Sequence, residues 1–477
     1  MKDSFNVLDQ AWIPTVTLSG HRQDMGIRET LANAHLLREI SDASPLKEYS
    51  VYRFLGLFLM DALRPASEID IEDLLDIGAF DMSKIENYIE QCQGEGVSFD
   101  LFDDNIPFLQ SKLDEKIDTV EKPVSILDCT LPSGNNHVHF MHKAPEKIEA
   151  GEAVRLLLST YLFCTAGAQG YPSGVYGAPP FFGVIKGKNL YETLINILLP
   201  ISWIGIPFDE PPVLWRRKTP IKPKGDIPGT SWLQGMLFPT RRIHLIGDGN
   251  GYVRAVYLSQ GENFINKETW KDPYVTYRSN DTSVFPLRPH ADSPIWRNFC
   301  DLIDLPGNHA SQLLQLYRTI HDGGNVALTL YGVETSQASY LSTQRYDLSF
   351  PILLTGQESV ELLTRCIAAA QSLQRSLRKA LSNINGLPDT QVVSAANEFE
   401  KDCESRFWRL CRLLSEGGNE SPSLYTDYCD EISDAVMREY TNVCKKIHLR
   451  AHSLTMAEEN RVVLFREVQK LKKGANL

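Results

Sequence analysis

The sequence predicts two parts, an α+β N-terminal domain with long loops over residues 1–354 and an all-α four-helix bundle over residues 355–477. Three observations predict this. The 477 residues exceed one ordinary domain, and an apolar content of 43% is that of a globular chain able to bury a core in each part. Up to about Leu354, short β-rich runs mix with helical segments and frequent Pro/Gly breaks. After Pro351, apolar residues recur at three- and four-residue spacing with few interruptions.

Taken in order, the first clear element is a helix opening at Ser44-Pro45. The serine is a cap residue, and proline at the first helical position forfeits only an N–H that has no helical partner. Tyr52, Leu55, Phe58, Leu59 and Leu63 then follow at helical spacing. A long loop region is expected from roughly Asp128 to Gly183, because LPSGNNHVHFMHK and CTAGAQGYPSGVYGAPPFFG hold too much Gly, Pro and Asn for regular elements. Loops of that length in a compact domain usually bind something. IGDGNGY reads as a hairpin turn.

In the second part, Thr355 and Glu358 have the spacing of a capping box, ahead of Val360, Leu363, Ile367, Ala370, Leu377, Leu381 and Ile384, with Gln374 as the interruption. A second helix carries Ala396, Phe399, Cys403, Phe407, Leu410 and Leu414. Ser421-Pro422 opens a third with Tyr428, Ile432, Val436, Tyr440, Val443 and Ile447 on one face, and Thr455 with Glu458 caps a fourth bearing Leu464, Val468 and Leu471. Four amphipathic helices joined by short links imply a bundle.

The net charge of -12 opposes nucleic-acid binding through a bulk positive field, so any such contact must be local. Nine scattered cysteines, odd in number and never spaced CxxC, signal neither a zinc knuckle nor a disulfide framework. There is no signal-peptide pattern and no run of eighteen apolar residues, so the expected location is the cytoplasm, without membrane contact.

Catalytic and cofactor motifs are missing. A phosphate-cradling loop needs GxxxxGK[ST], so that backbone amides and a lysine converge on the phosphates; GVIKGK is one residue short and lacks the hydroxyl. No GxSxG, HExxH or kinase signature occurs, and no cofactor is expected. His137, His139 and His142 lie close enough to share a metal, but no nearby Cys or carboxylate completes a shell, and a polar loop histidine is more often simply solvated. Basic clusters remain: Arg216, Arg217, Lys218, Lys222 and Lys224; Arg241 and Arg242; and Arg375, Arg378 and Lys379. Each alone is as readily surface charge as a binding feature, but three on an acidic chain suit local phosphate contacts.

FNVLDQAWIPTV, followed by MGIRETLANAHLLREISDASPL, resembles the opening of the CasA family. LPSGNNHVHFMHK, LFPTRRIHL, WKDPYV, LRPHADSP, GVETSQAS and LRKAL resemble further family segments in the same order, from residue 5 to about 381. The resemblance implies the large subunit of a type I-E CRISPR surveillance complex, Cascade. Such a subunit is not an enzyme. It works with crRNA, with the backbone, small, handle-binding and crRNA-processing subunits, with double-stranded target DNA and with a helicase-nuclease. It reads the protospacer-adjacent motif (PAM) from the minor groove, opens the duplex for R-loop formation and helps recruit the nuclease.

By that resemblance, Gln337 with neighbouring Ser336 is the wedge at a hairpin tip, Lys271 is the minor-groove lysine with Lys267 as the alternative, and Gly167, Gly170 and Gly174 form the glycine loop. Glycine lets backbone amides approach base edges closely. The resemblance also makes Asn136, His139, Phe140 and His142 the loop near the crRNA handle and the neighbouring subunit. It assigns DNA-backbone contacts to Arg375, Arg378 and Lys379, and the strand carrying Arg241 and Arg242 joins them as phosphate-contacting. Some relatives hold zinc before the Trp-x-Asp-Pro motif, but IGDGNGYVRAVYLSQ contains no cysteine. Two other readings stay open: a structural scaffold that does not read DNA, and a metal-dependent nuclease using the histidine loop.

Overall fold

The computed structural model describes residues 4–131, 145–163, 171–172, 174–279, 283–290, 293–305, 307, 309–336, 339–416, 423–446 and 451–475. The chain divides into two units. The first holds Met1–Asp292, Ala310–Asp322 and Val326–Ser349, and the second holds Ser293–His309, Gly323–Asn325 and Phe350–Leu477.

The first unit is organised around the helix Pro45–Leu63, which starts behind Ser44 and ends at Arg64 in the left-handed region. The apolar stripe read from the sequence is only part of what is enclosed, because every residue from Glu48 to Asp61 is buried. Charges on such a helix must find partners inside the protein. Asp61 meets Arg64 and Arg216, Arg53 meets Asp272, and Glu48 accepts from Tyr331 and Arg345. Arg216 also pairs with Glu95, and Arg217 with Glu262, each at 2.6 Å, so two of the five basic residues of the Arg216–Lys224 cluster are paired internally. Lys218, Lys222 and Lys224 are exposed.

Three larger sheets belong to this unit. Ile13–Thr17 lies between Arg22–Met25 and Leu37–Ile40, antiparallel to both. Tyr252–Gln260 pairs with Arg241–Gly247 on one side and with Lys122–Pro123 and Ile148–Glu149 on the other. The turn joining Arg241–Gly247 to Tyr252–Gln260 uses Gly249 at φ 82° and Gly251 at φ 84°, positions favourable only to glycine. The third sheet has the order Ser339–Pro351, Asn325–Ser336, Phe182–Lys186.

The expected loop from Asp128 to Gly183 needs correction. The buried helix Ala150–Phe163 lies within it and packs on Pro45–Leu63. The Gly, Pro and Asn residues that mark loop sit at the two ends of the stretch, whereas Val154, Leu157, Leu158 and Tyr161 between them keep helical spacing and are buried.

The second unit contains a helical C-terminal region of four long helices, Gln357–Ser382, Asp389–Ser415, Ser423–Lys446 and Ala451–Ala475. The first packs on each of the others, and the third also packs on the second and fourth. Leu363, Leu377, Phe399, Phe407, Ile432, Tyr440, Leu464 and Val468 are all buried, as their spacing predicts. Two helix starts differ from expectation. Thr355 donates to the Ile352 carbonyl at 2.6 Å within a short 3₁₀ turn, and the helix begins behind Gly356. Thr455 stands a turn inside Ala451–Ala475.

Gln374, the polar interruption, is buried and bonded. Its amide donates to the Ala396 carbonyl at 3.1 Å and to Glu400 at 3.0 Å, and accepts from Arg297 at 2.7 Å. Trp296 and Phe299 bring the earlier segment Ser293–His309 onto Phe407 by ring contacts of 5.5 and 5.8 Å. Among the described residues no helix is long and apolar enough to cross a membrane.

Candidate nucleic-acid interface

The Trp-Lys-Asp-Pro segment is held in place by everything except its lysine. Asp272 is buried and accepts from the Arg53 guanidinium, with one nitrogen at 3.0 Å, from the Tyr176 hydroxyl and from the Tyr274 amide at 2.8 Å. Burial first, and the Asp272 charge second, push the Tyr176 phenol well above the usual tyrosine range, so it remains a donor. Trp270 is buried against Gly235, where any Cβ would strike the indole. Between these two anchors Lys271 is exposed, with its ammonium 5.6 Å from the centre of the Tyr277 ring.

Tyr176 ties this segment to the glycine-rich stretch. The Gly177 amide donates to the Gly174 carbonyl at 3.1 Å, closing a tight turn in which Gly177 takes φ 78°. Among the described residues, no atom lies within 4 Å of where a Cβ on Gly174 would stand, so the backbone there is open. The base of the stretch is clamped by Arg241, whose guanidinium donates to the Pro172 carbonyl at 2.9 Å and lies 4.4 Å from the centre of the Tyr171 ring.

Arg241 and Arg242, to which the resemblance gives phosphate contacts, are enclosed rather than presented at the surface. They are 2% and 4% exposed. Arg242 donates to the Ile221 carbonyl at 2.8 Å and pairs with buried Asp118 at 3.1 Å. Sequence reasoning saw the charge of this pair but not that the strand Arg241–Gly247 turns both guanidinium groups inward.

The long hairpin completes the site. Asn325–Ser336 registers against Phe182–Lys186 only as far as Tyr331 opposite Phe182. Beyond that point Gly332 fits against Phe181 and Pro289, and the Phe181 amide donates to the Leu287 carbonyl at 2.9 Å. Ser336 is exposed at the end of its strand. At the base, Glu48 joins both strands, accepting from Tyr331 at 2.5 Å and from Arg345 at 3.0 Å, and burial raises its carboxyl above the usual range.

Beside Glu48, Lys186 donates to the Tyr52 hydroxyl at 2.7 Å. Burial lowers its ammonium to about 8, against the opposing effect of Glu48. From about pH 8 towards 10.5 the unfolded chain holds this proton and the folded chain does not. The first unit should therefore gain stability from this group as pH rises through that window, by at most about 3.5 kcal/mol at roughly 1.4 per pKa unit. Urea unfolding of wild type and Lys186→Met across the window measures it. A wild-type-minus-variant difference that stays flat with pH rejects the assignment.

Gln337, Gly167, Gly170, Asn136, His139, Phe140 and His142 lie outside the described residues. In the second unit, Arg375, Arg378 and Lys379 are exposed on the helix Gln357–Ser382. Among the described residues no group of three or more His, Cys, Asp or Glu side chains is placed to hold a metal. The structure adds Arg53 and Tyr176 as positioning residues, and gives a positioning role to Arg241, which the sequence singled out for its charge. Of the two additions only Arg53 has a signal in the sequence, a charge inside the apolar run of a helix.

By fold, the chain is similar to solved CRISPR-associated proteins. Thermus thermophilus CasA (Cse1) superposes with a TM-score of 0.77 at 23% identity, covering 98% of this chain and 100% of that one. Thermobifida fusca Cse1 gives 0.82 at 17%, covering 99% of each. A chain of a structure described as a CRISPR RNA-guided surveillance complex gives 0.77 at 19%, covering 97% and 99%. In sequence, the CRISPR-associated protein CasA/Cse1 of Thermus thermophilus is 29% identical over 401 residues, 79% of this chain and 77% of that relative. The family model for CRISPR-associated protein Cse1 matches residues 6–447, and the chain belongs to this family.

Proposed function

We propose that this chain is the large subunit of a type I-E Cascade, a crRNA-guided surveillance complex of the cytoplasm, and that it works there without catalysis. It recognises the PAM in double-stranded DNA, starts duplex opening and R-loop formation, and helps recruit the helicase-nuclease. The observation that carries this reading is the convergence of three features in one unit. A glycine turn with open space at Gly174, the exposed Lys271 and the hairpin ending at Ser336 are tied together through Tyr176, Asp272, Phe181 and Leu287. The minor groove offers a degenerate pattern, suited to backbone groups and one cation rather than to a recognition helix. Guide pairing reads the remaining sequence, so the protein has only to find the motif and open the first pairs.

The four C-terminal helices act as a four-helix bundle facing DNA and the small subunits. Arg375, Arg378 and Lys379 touch phosphates there, each contact adding a sequence-independent, salt-dependent increment. The segment with Asn136, His139, Phe140 and His142 meets the crRNA handle side.

The test is duplex binding at fixed salt by the crRNA-loaded complex, with and without this chain and with and without the motif. Binding should need both, and Gln337→Ala and Lys271→Ala should each weaken it by roughly tenfold, the scale of one lost contact. Unchanged binding by normally assembled complexes carrying both substitutions makes the chain a scaffold instead.

A further inference from the structure

We infer that Glu48 is the positioning residue of the long hairpin: by tying both strands to the central helix it sets where the hairpin tip stands, and so governs duplex opening rather than capture of the motif. The inference rests on the nucleic-acid reading above, and names a residue outside the glycine turn, the lysine and the tip already assigned.

Glu48 lies in the first turn of the helix Pro45–Leu63, and its side chain is 1% exposed. Its two carboxylate oxygens are divided between the strands. Oε1 accepts from the Tyr331 hydroxyl at 2.5 Å, and Oε2 accepts from the Arg345 guanidinium at 3.0 Å. The Arg345 guanidinium also lies 5.6 Å from the centre of the Tyr331 ring, so the two donors meet across the hairpin as well as at the carboxylate. Hydrogen bonds to an ionised group are short and directional, and one from each strand holds the pair to the helix where a bond to a single strand would leave it free to swing.

The place of this clasp makes it a positioning device. Tyr331 is the last residue of its strand with a partner on Phe182–Lys186. The five residues Gly332–Ser336 run on towards the tip beyond that pairing. At 3.3 Å per residue they span roughly 16 Å, so a tilt of about 10° at Tyr331 moves the tip by about 3 Å, close to one base step. Past the clasp, Gly332 fits against Phe181 and Pro289, and the Phe181 ring lies 5.9 Å from that of Tyr346. Apolar contact is non-directional, so it supports the arm without fixing its angle. Lys271 and the glycine turn are held separately, through Asp272 and Tyr176, which is why the effect of Glu48 falls on opening.

The test uses the crRNA-loaded complex and 2-aminopurine in the first base pairs beside the motif, whose fluorescence rises as they open. Glu48→Gln and Tyr331→Phe should each slow opening of intact duplex three- to tenfold, while a duplex already mismatched at those pairs is bound as by wild type. Adding Glu48→Gln to Gln337→Ala should cost nothing further, because a residue that acts through the tip has no effect once the tip is removed. Tyr331→Phe deletes one hydroxyl and keeps the buried ring, so it carries the test where Glu48→Gln fails to fold. A loss that adds to that of Gln337→Ala, or that is equal on the mismatched duplex, reduces Glu48 to a purely structural role and overturns the inference, as does unchanged opening in both variants. Hydrogen exchange in the isolated full chain gives a readout without DNA. The amides of Gly332–Ser336 should exchange faster in both variants, and those of Phe182–Lys186 should not. Faster exchange alongside a Gln337→Ala complex that opens duplex normally upholds Glu48 as the anchor and rejects the proposed function instead; unchanged exchange overturns the anchor.

Discussion

Asp272→Ala is expected to destabilise the first unit by about 3–5 kcal/mol, the effect of leaving one member of a buried ion pair without its partner. Neither Arg53 nor Asp272 has any exposed side-chain surface. Removing the carboxylate strands the guanidinium, and with it the Tyr176 hydroxyl and the Tyr274 amide that also donate to Asp272. The same change frees Lys271 and the glycine turn, which meet at Asp272, so duplex binding should fall even in molecules that stay folded. Denaturant unfolding reads the first effect, and binding well below the unfolding midpoint reads the second. The double variant Arg53→Met, Asp272→Leu should recover much of the stability, because an apolar pair of similar volume replaces a desolvated ionic one. It should not recover binding, since the hydrogen bond to Tyr176 is still missing. A stability loss below about 1 kcal/mol in Asp272→Ala would mean that water reaches Arg53 and that the segment is not anchored as described.

What the sequence disclosed followed from how local each signal is. The C-terminal helices were legible because period-3.6 spacing needs only near neighbours, and Leu363, Phe407, Ile432 and Leu464 are buried as that spacing requires. Their starts were less so. Thr355 has the right spacing from Glu358, but a preceding 3₁₀ turn takes its hydroxyl. The helix Ala150–Phe163 was hidden by the composition of its flanks. The site divides in the same way. Lys271 and Gly174 come from short motifs, and the structure leaves both accessible. The partners that hold them do not show in a motif, because Arg53 lies 219 residues from Asp272, and Tyr176 lies 96 residues from it. Pairing over such distances is set by the fold, and a single sequence carries no trace of it.

Arg242→Ala distinguishes what a basic pair looks like in sequence from what it does in the fold. As a phosphate contact, Arg242 would contribute little to stability, within about 0.5 kcal/mol, and its loss would make the salt dependence of duplex binding shallower by about one. The geometry requires the opposite. The guanidinium is enclosed, bonded to the Ile221 and Lys112 carbonyls, and paired with Asp118, itself buried. Its removal should cost about 3–5 kcal/mol by leaving Asp118 charged and poorly matched, although the Asp114 amide at 2.9 Å continues to donate to it. Salt dependence of binding by the folded complex should not change. Arg378→Gln in the second unit should show the reverse pattern, since that residue is exposed on its helix. Denaturant unfolding and a salt titration on both variants decide the matter. An Arg242→Ala protein of normal stability and shallower salt dependence would place the guanidinium at the surface and return it to the phosphate contacts. Burial, rather than charge or motif, is then what sorts the arginines of an acidic chain into those that hold the fold together and those left at the surface.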